Sequence, residues 1–167
     1  MISPQQLLQS QGGLRGGDDV LDREAGDLAQ IRKFADFAKV VLYTDLEQVH
    51  PYYQVASEVA PLVQNGSYDK AVLICGTGAG MSVVANKYKG VYAVACEGVY
   101  SAKMARAINN ANILCMGGWI VGPEMAIEMV KAFLNTAWCQ DLEDWRAVNM
   151  HKFAAKVDAI EDGIYGA

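Results

Sequence analysis

Apolar residues recur at helical spacing over 24–39, where LAQIRKFADFAK carries Leu28, Ile31, Phe34, Phe37 and Ala38, so an amphipathic helix is expected there. The β-rich run at 40–43 reads as a strand. Residues 49–64 (VHPYYQVASEVAPLVQ) read as a second helix, with Pro51 near its first turn and Pro61 placed to bend or end its last. NGSYD at 65–69 is a turn. The run AVLIC at 71–75 is apolar without alternation, as in a strand covered on both faces. A tight loop at 76–80 leads to a short helix over 81–87. A strand at 91–96 precedes a helix at 100–109, and a strand at 113–116 ends at Gly117 and Gly118. Gly122 and Pro123 open a helix over 124–134, with acids early and Lys131 late, as the helix dipole favours. Residues 141–160 read as a long last helix whose apolar face is Leu142, Trp145, Val148, Phe153, Val157 and Ile160. That face suits the core or another subunit.

This alternation of strands and helices predicts an α/β fold, a mostly parallel sheet with helices on both faces and right-handed crossovers. Four strands are evident, at 40–43, 71–75, 91–96 and 113–116, and a fifth at the N-terminus is not. A missing first strand leaves an open sheet edge that invites pairing with another chain, so an oligomer is expected. Ligands in such sheets bind outside the C-terminal strand ends, near which Cys75, Cys96 and Gly117 lie. The glutamine- and glycine-rich residues 1–23, with GGLRGGDD at 12–19, read as a flexible or partner-wrapping arm, leaving 24–167 as one domain. A chain of 167 residues hides about 70% of its surface on folding, which suits a single core.

Composition narrows the function. The net charge of −5 argues against a broad nucleic-acid footprint while leaving room for a local anion site. No stretch reaches 18 uncharged apolar residues, so no membrane span is expected, and MISPQQLLQSQGG has no signal-peptide character. The four cysteines, at 75, 96, 115 and 139, lack the close pairs of a zinc framework, so no metal is expected. Cys96 and Cys115 read as buried free thiols of a reducing cytoplasm.

The segment CGTGAGMS at 75–82 is the chemical centre of the sequence. Glycines at 76, 78 and 80 allow close backbone approach, and their amides can form an anion nest. The loop lacks the GKS/T ending of a phosphate-binding Walker loop and the spacing of a dinucleotide fingerprint. A thiol beside a helix N-terminus is favoured as thiolate and serves as a base or nucleophile. With Cys75 in that place, a proton moved between adjacent carbons would create an enediolate, which the nest and Thr77 can hold. The competing reading is a packed thiol in a loop that only turns the chain.

The words LICGTGAGMSVVANK at 73–87, YSAKMAR at 100–106, NNAN at 109–112 and VGPEMAIEMVKAFLNT at 121–136 follow one another as in a known family. Over about half the chain the sequence resembles the ribose-5-phosphate isomerase B / galactose-6-phosphate isomerase family. The resemblance implies a Rossmann-like three-layer α/β/α sandwich with four or five strands. It implies a homodimer or tetramer with sites shared between subunits, no cofactor and no metal. The activity implied is aldose–ketose isomerisation of a sugar or sugar phosphate. Cys75 falls on the family's catalytic base and Thr77 on the threonine beside it. Gly76, Gly78 and Gly80 fall on the amide nest, and Asn109 on a substrate-contacting asparagine. Ser82 and Asn86 preserve the following helix, and Arg106 matches a helix position that could equally be a solvated charge.

The departures are as specific. The family's opening SDHAG word is absent, as is its C-terminal arginine-bearing region. The CHD-like word used for ring opening reads CEG, which puts Glu97 where the histidine stands. The GAR word, whose arginine binds phosphate, reads GGW, which puts Trp119 in the arginine's place. Trp119 offers an apolar face suited to stacking on a sugar, and Glu97 an acid or base in another geometry. The alternative to an enzyme is a non-catalytic or hetero-oligomeric subunit that binds a sugar while its partner supplies the missing histidine and arginines.

Overall fold

The computed structural model describes residues 50–166. The arm at 1–23, the helix at 24–39 and the strand at 40–43 lie outside the described residues. The elements are α1 (Tyr52–Gln64), β1 (Ala71–Cys75), α2 (Ala79–Ala85), β2 (Ala93–Ala95), α3 (Val99–Ala107), β3 (Ile113–Gly117), α4 (Pro123–Asn135) and α5 (Asp144–Tyr165).

Among the described residues, three strands run parallel in the order β1-β3-β2. Central β3 is buried along its whole length, and its alternating side chains divide the core in two. Ile113 and Cys115 join Leu73 of β1, Val55 and Val59 of α1 and Met81 of α2. Leu114 and Met116 join Ala102 of α3 with Met129 and Phe133 of α4. Helices thus cover both faces, giving the α/β/α sandwich with a parallel sheet.

Pro61 neither ends nor breaks α1, which runs on to Gln64. Proline removes the N–H that would bond the Ser57 carbonyl. The Tyr88 hydroxyl donates to that carbonyl instead, at 3.2 Å. The turn at 65–69 forms as expected, with the Asn65 side chain accepting the Ser67 N–H at 2.9 Å.

Strand β2 is shorter than the apolar run at 91–96 predicts, because side chains take over the ladder at its start. The Asn86 amide brackets Ala93, accepting its N–H at 2.8 Å and donating to its carbonyl at 2.7 Å. Asn112 likewise accepts the Tyr92 N–H at 2.8 Å and donates to the Gly90 carbonyl at 2.8 Å. Asn86 is therefore a structural clamp.

Arg106 corrects the picture of a solvated charge: it is buried. Its guanidinium donates to the Ala111 carbonyl at 2.6 Å, to Asn110 Oδ1 at 3.0 Å and to the Thr136 carbonyl at 3.4 Å, and lies over the Phe133 ring. Burial pulls it below the usual arginine range. The same burial, with Arg106 nearby, lowers Lys70.

Helix α5 starts and ends later than its sequence pattern predicts, and none of its residues is buried. The His151 ring in its first half meets the Trp138 ring, with centroids 4.2 Å apart, and its C-terminal end docks through polar groups. Asp162 pairs with Lys89 at 2.7 Å, Glu161 accepts the Gly90 N–H at 2.9 Å, and Asp158 accepts from the Tyr92 hydroxyl at 3.0 Å. Burial, reinforced by the two nearest carboxylates, raises the Tyr92 phenol well above its ordinary value. The apolar face read from the sequence, including Trp145, Val148, Phe153, Val157 and Ile160, is exposed rather than packed on the described core. No helix among the described residues is long and apolar enough to cross a membrane.

Candidate active site

The C-terminal ends of β1 and β3 remain joined beyond the strands. The Gly118 N–H donates to the Cys75 carbonyl at 2.8 Å and the Trp119 N–H to the Gly76 carbonyl at 3.1 Å. The two connecting loops therefore run backbone against backbone. Gly78 (φ 77°) and Gly117 make that approach possible. A Cβ on Gly78 would lie 2.8 Å from the Met116 carbonyl carbon, and one on Gly117 the same distance from that of Thr77.

Cys75 ends β1 with its side chain buried, 7% exposed, at the edge of the α1–α2 half of the core. Its Sγ accepts the Gly78 N–H at 3.2 Å, so the loop curls over the sulfur and directs an amide at it. The amides of the first turn of α2, which begins at Ala79, have no acceptor within their own helix. Thr77 is exposed at the crest of the loop.

Two aromatic rings flank this loop. Trp119 lies against Gly76, where an added Cβ would meet three ring carbons at 2.8 Å, yet the residue is 66% exposed. Tyr52 lies against Gly80, its Cε2 2.8 Å from where a Cβ would stand. Sequence reasoning missed Tyr52. Its signal was an exposed aromatic pair after Pro51, in the first turn of a helix whose N-terminus opens at the C-terminal end of the sheet.

The structure thus brings Cys75, Gly76, Thr77, Gly78, Gly80 and Trp119 together. Glu97 is exposed at the same end of the sheet, just after β2. Central β3 separates it from β1, so about 10 Å of sheet lies between their strands. Asn109 sits elsewhere. It follows α3 on the way into β3, at the N-terminal end of the sheet, where nearby Asn112 holds the start of β2.

The remaining cysteines are free. Burial raises the Cys96 thiol, with a partial offset from Ser101. It raises Cys115 much further, assisted by Cys75 and Cys96. Among the described residues no cluster of His, Cys, Asp or Glu could hold a metal ion.

Among the described residues, the charge on the segments leaving the strands is one-sided. Residues 71–86, 90–102 and 107–130, which carry all three strands into their helices, contain no lysine, arginine or histidine. Glu97, Glu124 and Glu128 are the charged side chains in these segments, all exposed.

Residues 29–150 match the family model described as Ribose/Galactose Isomerase. The chain is 48% identical to a 4-deoxy-4-sulfo-D-erythrose isomerase of Clostridium sp. (strain MSTE9) over 121 residues, covering 72% of this chain and 76% of that protein. It is 42% identical to a D-erythrulose-4-phosphate isomerase of Pectobacterium atrosepticum over 84 residues, covering 50% of this chain and 55% of that one. Its fold is similar to that of the type B ribose 5-phosphate isomerase of Leishmania infantum, with a TM-score of 0.71 at 29% identity over 86% of this chain and 91% of the other.

Proposed function

The chain belongs to the ribose/galactose isomerase family, and from that premise we propose that it interconverts a four-carbon aldose and ketose whose terminal carbon bears a sulfonate, with Cys75 as the proton-transferring group. The observation that carries the reading is the Cys75 sulfur at the mouth of β1, with the Gly78 N–H directed at it at 3.2 Å.

In this mechanism the Cys75 thiolate takes the proton from C2 of the open-chain aldose. The C2–H electron pair becomes the C1–C2 double bond of an enediolate, whose negative oxygen is held by loop amides and the Thr77 hydroxyl. The thiol then returns the proton to C1. A proton passes from the oxygen on C2 to that on C1, and the ketose is released. Glu97, exposed just after β2 at the same end of the sheet, is the group assigned to that oxygen-to-oxygen transfer. No oxidant, reductant or metal enters the balance.

Two departures from the family pattern support this substrate. A four-carbon sugar substituted at C4 has no free hydroxyl there, so it cannot close a five-membered ring. An enzyme for it has no need of a ring-opening histidine, and Glu97–Gly98 stand where that word would be. A sulfonate carries one negative charge where phosphate carries up to two, so it tolerates a strand end without arginine. The most similar relative named above acts on such a sugar.

Asn109 reaches a substrate on Cys75 only from a second copy of the chain, because within one copy the two lie at opposite ends of the sheet. The reading therefore requires a homo-oligomer with sites shared between subunits. Its test is incubation with 4-deoxy-4-sulfo-D-erythrose in D2O, followed by proton NMR. The expected product is the ketose, with deuterium at C1 in those molecules whose thiol proton exchanges with solvent before its return. A folded, oligomeric protein that leaves the sugar unchanged contradicts the proposal.

A further inference from the structure

We infer that Trp119 is a specificity-determining residue, selecting a substrate whose terminal group carries one negative charge and turning away one that carries two. The inference rests on the isomerase reading above and extends it to one side chain.

The ring is fixed to the catalytic loop at two points. Its backbone N–H donates to the Gly76 carbonyl at 3.1 Å, and its six-membered ring lies against the Gly76 backbone, one residue from Cys75. It is nevertheless 66% exposed, so much of the indole is open to a ligand approaching the loop. An indole there gives a bound molecule an apolar wall and a single neutral N–H donor.

Among the described residues, the strand ends add no positive charge. The three segments that lead out of the sheet carry no cationic residue, while Glu97 and Glu124 add negative charge. Several described cations are engaged elsewhere: Lys103 with Asp141 at 2.8 Å, Lys89 with Asp162 at 2.7 Å, and Arg106 with carbonyl oxygens beneath the sheet.

The cost of bringing an ion out of water beside an apolar wall grows as the square of its charge, so a dianion suffers about four times the penalty of a monoanion. A dianionic phosphate meets that penalty through charge-assisted hydrogen bonds, chiefly from arginine and lysine. A singly charged tetrahedral group asks less, and neutral N–H and O–H donors satisfy it. The indole thus penalises the second charge more than the first.

The test compares two four-carbon aldoses that differ only in ending in a sulfonate or a phosphate. With the unmodified protein, kcat/KM favours the sulfonate by at least about tenfold. Trp119→Arg supplies the missing cation and shrinks that ratio by about 10–100-fold, with the change for the phosphate falling on KM more than on kcat. Trp119→Phe retains an apolar wall and keeps the preference, which guards against a folding defect in the arginine variant. Preference of the unmodified protein for the phosphate, or an unaltered ratio in a folded Trp119→Arg, overturns the inference. Should neither sugar turn over, the isomerase reading fails by itself. The melting temperature with each sugar then reads the preference directly: a larger rise with the sulfonate supports the inference, and an equal or larger rise with the phosphate overturns it.

Discussion

The two ends of the sheet are built from different materials. At the N-terminal end, polar side chains are tied to the backbone. Asn86 and Asn112 clamp the start of β2, and Arg106 is buried among carbonyl oxygens. At the C-terminal end, glycines bring two loops into contact, exposed aromatic rings lie on the glycine faces, and a thiol meets an amide. The first end holds the fold by tying buried amide and guanidinium groups to backbone carbonyls and N–H groups. The second leaves polar and aromatic groups facing outward, where a ligand can use them. Substitutions at the two ends are therefore expected to separate stability from activity.

The largest loss of stability is expected at the N-terminal end. Arg106→Met strips a charged donor from the Ala111 and Thr136 carbonyls and Asn110, and should lower the unfolding free energy by about 3 kcal/mol in urea denaturation. Activity per folded molecule should change little. Gly78→Ala places a Cβ 2.8 Å from the Met116 backbone at a φ of 77°, so about 2 kcal/mol is expected. Because the same residue directs its N–H at Cys75, this variant should also lose turnover, and a stable, active Gly78→Ala would blur the contrast. Asn86→Ala breaks both bonds to Ala93 and should cost about 1.5 kcal/mol, with activity retained once folding is saturated.

A pH effect of similar size follows from Cys115, whose thiol burial holds well above the ordinary value of 9.0. Above pH 9 the unfolded chain releases this proton while the folded chain keeps it. The unfolded state then binds fewer protons, and stability falls as pH rises, by up to about 1.4 kcal/mol per unit. Below pH 9 both states hold the proton and the effect vanishes. Comparing Cys115→Ala with the unmodified protein at pH 8 and pH 10 isolates it: the variant should lose less between the two. The smallest change is expected for Trp119→Ala, within about 0.5 kcal/mol in the same assay, because its exposed ring adds little to the core.

The same contrast decided what could be read from the sequence. The unbroken apolar run of β1 and the strand at 113–116 were legible because burial on both faces leaves no polar residue in the pattern. The strand at 91–96 was read too long because an apolar run looks the same whether a neighbouring strand or an asparagine side chain takes its backbone hydrogen bonds. Arg106 read as solvated because one of its acceptors, the Thr136 carbonyl, arrives from beyond the next strand and helix. The apolar stripe of α5 was legible as a pattern, but a pattern does not say what covers it. At the candidate site, motif and spacing singled out Cys75 and its loop. The contact of Trp119 with Gly76 was hidden, since it exists only because β1 and β3 are neighbours in space. The separation of Asn109 from Cys75 likewise needs the chain direction of α3.

The central claim is that the Cys75 sulfur moves the proton between C2 and C1. Cys75→Ser keeps the side chain's size and replaces the thiol with a hydroxyl too weakly acidic to serve as the base. The account predicts that kcat on the four-carbon sulfonated aldose falls by about 10³-fold, and deuterium incorporation at C1 with it, while the melting temperature stays within a few degrees. A folded Cys75→Ser variant that retains turnover and deuterium incorporation within a few-fold of the unmodified protein would contradict it.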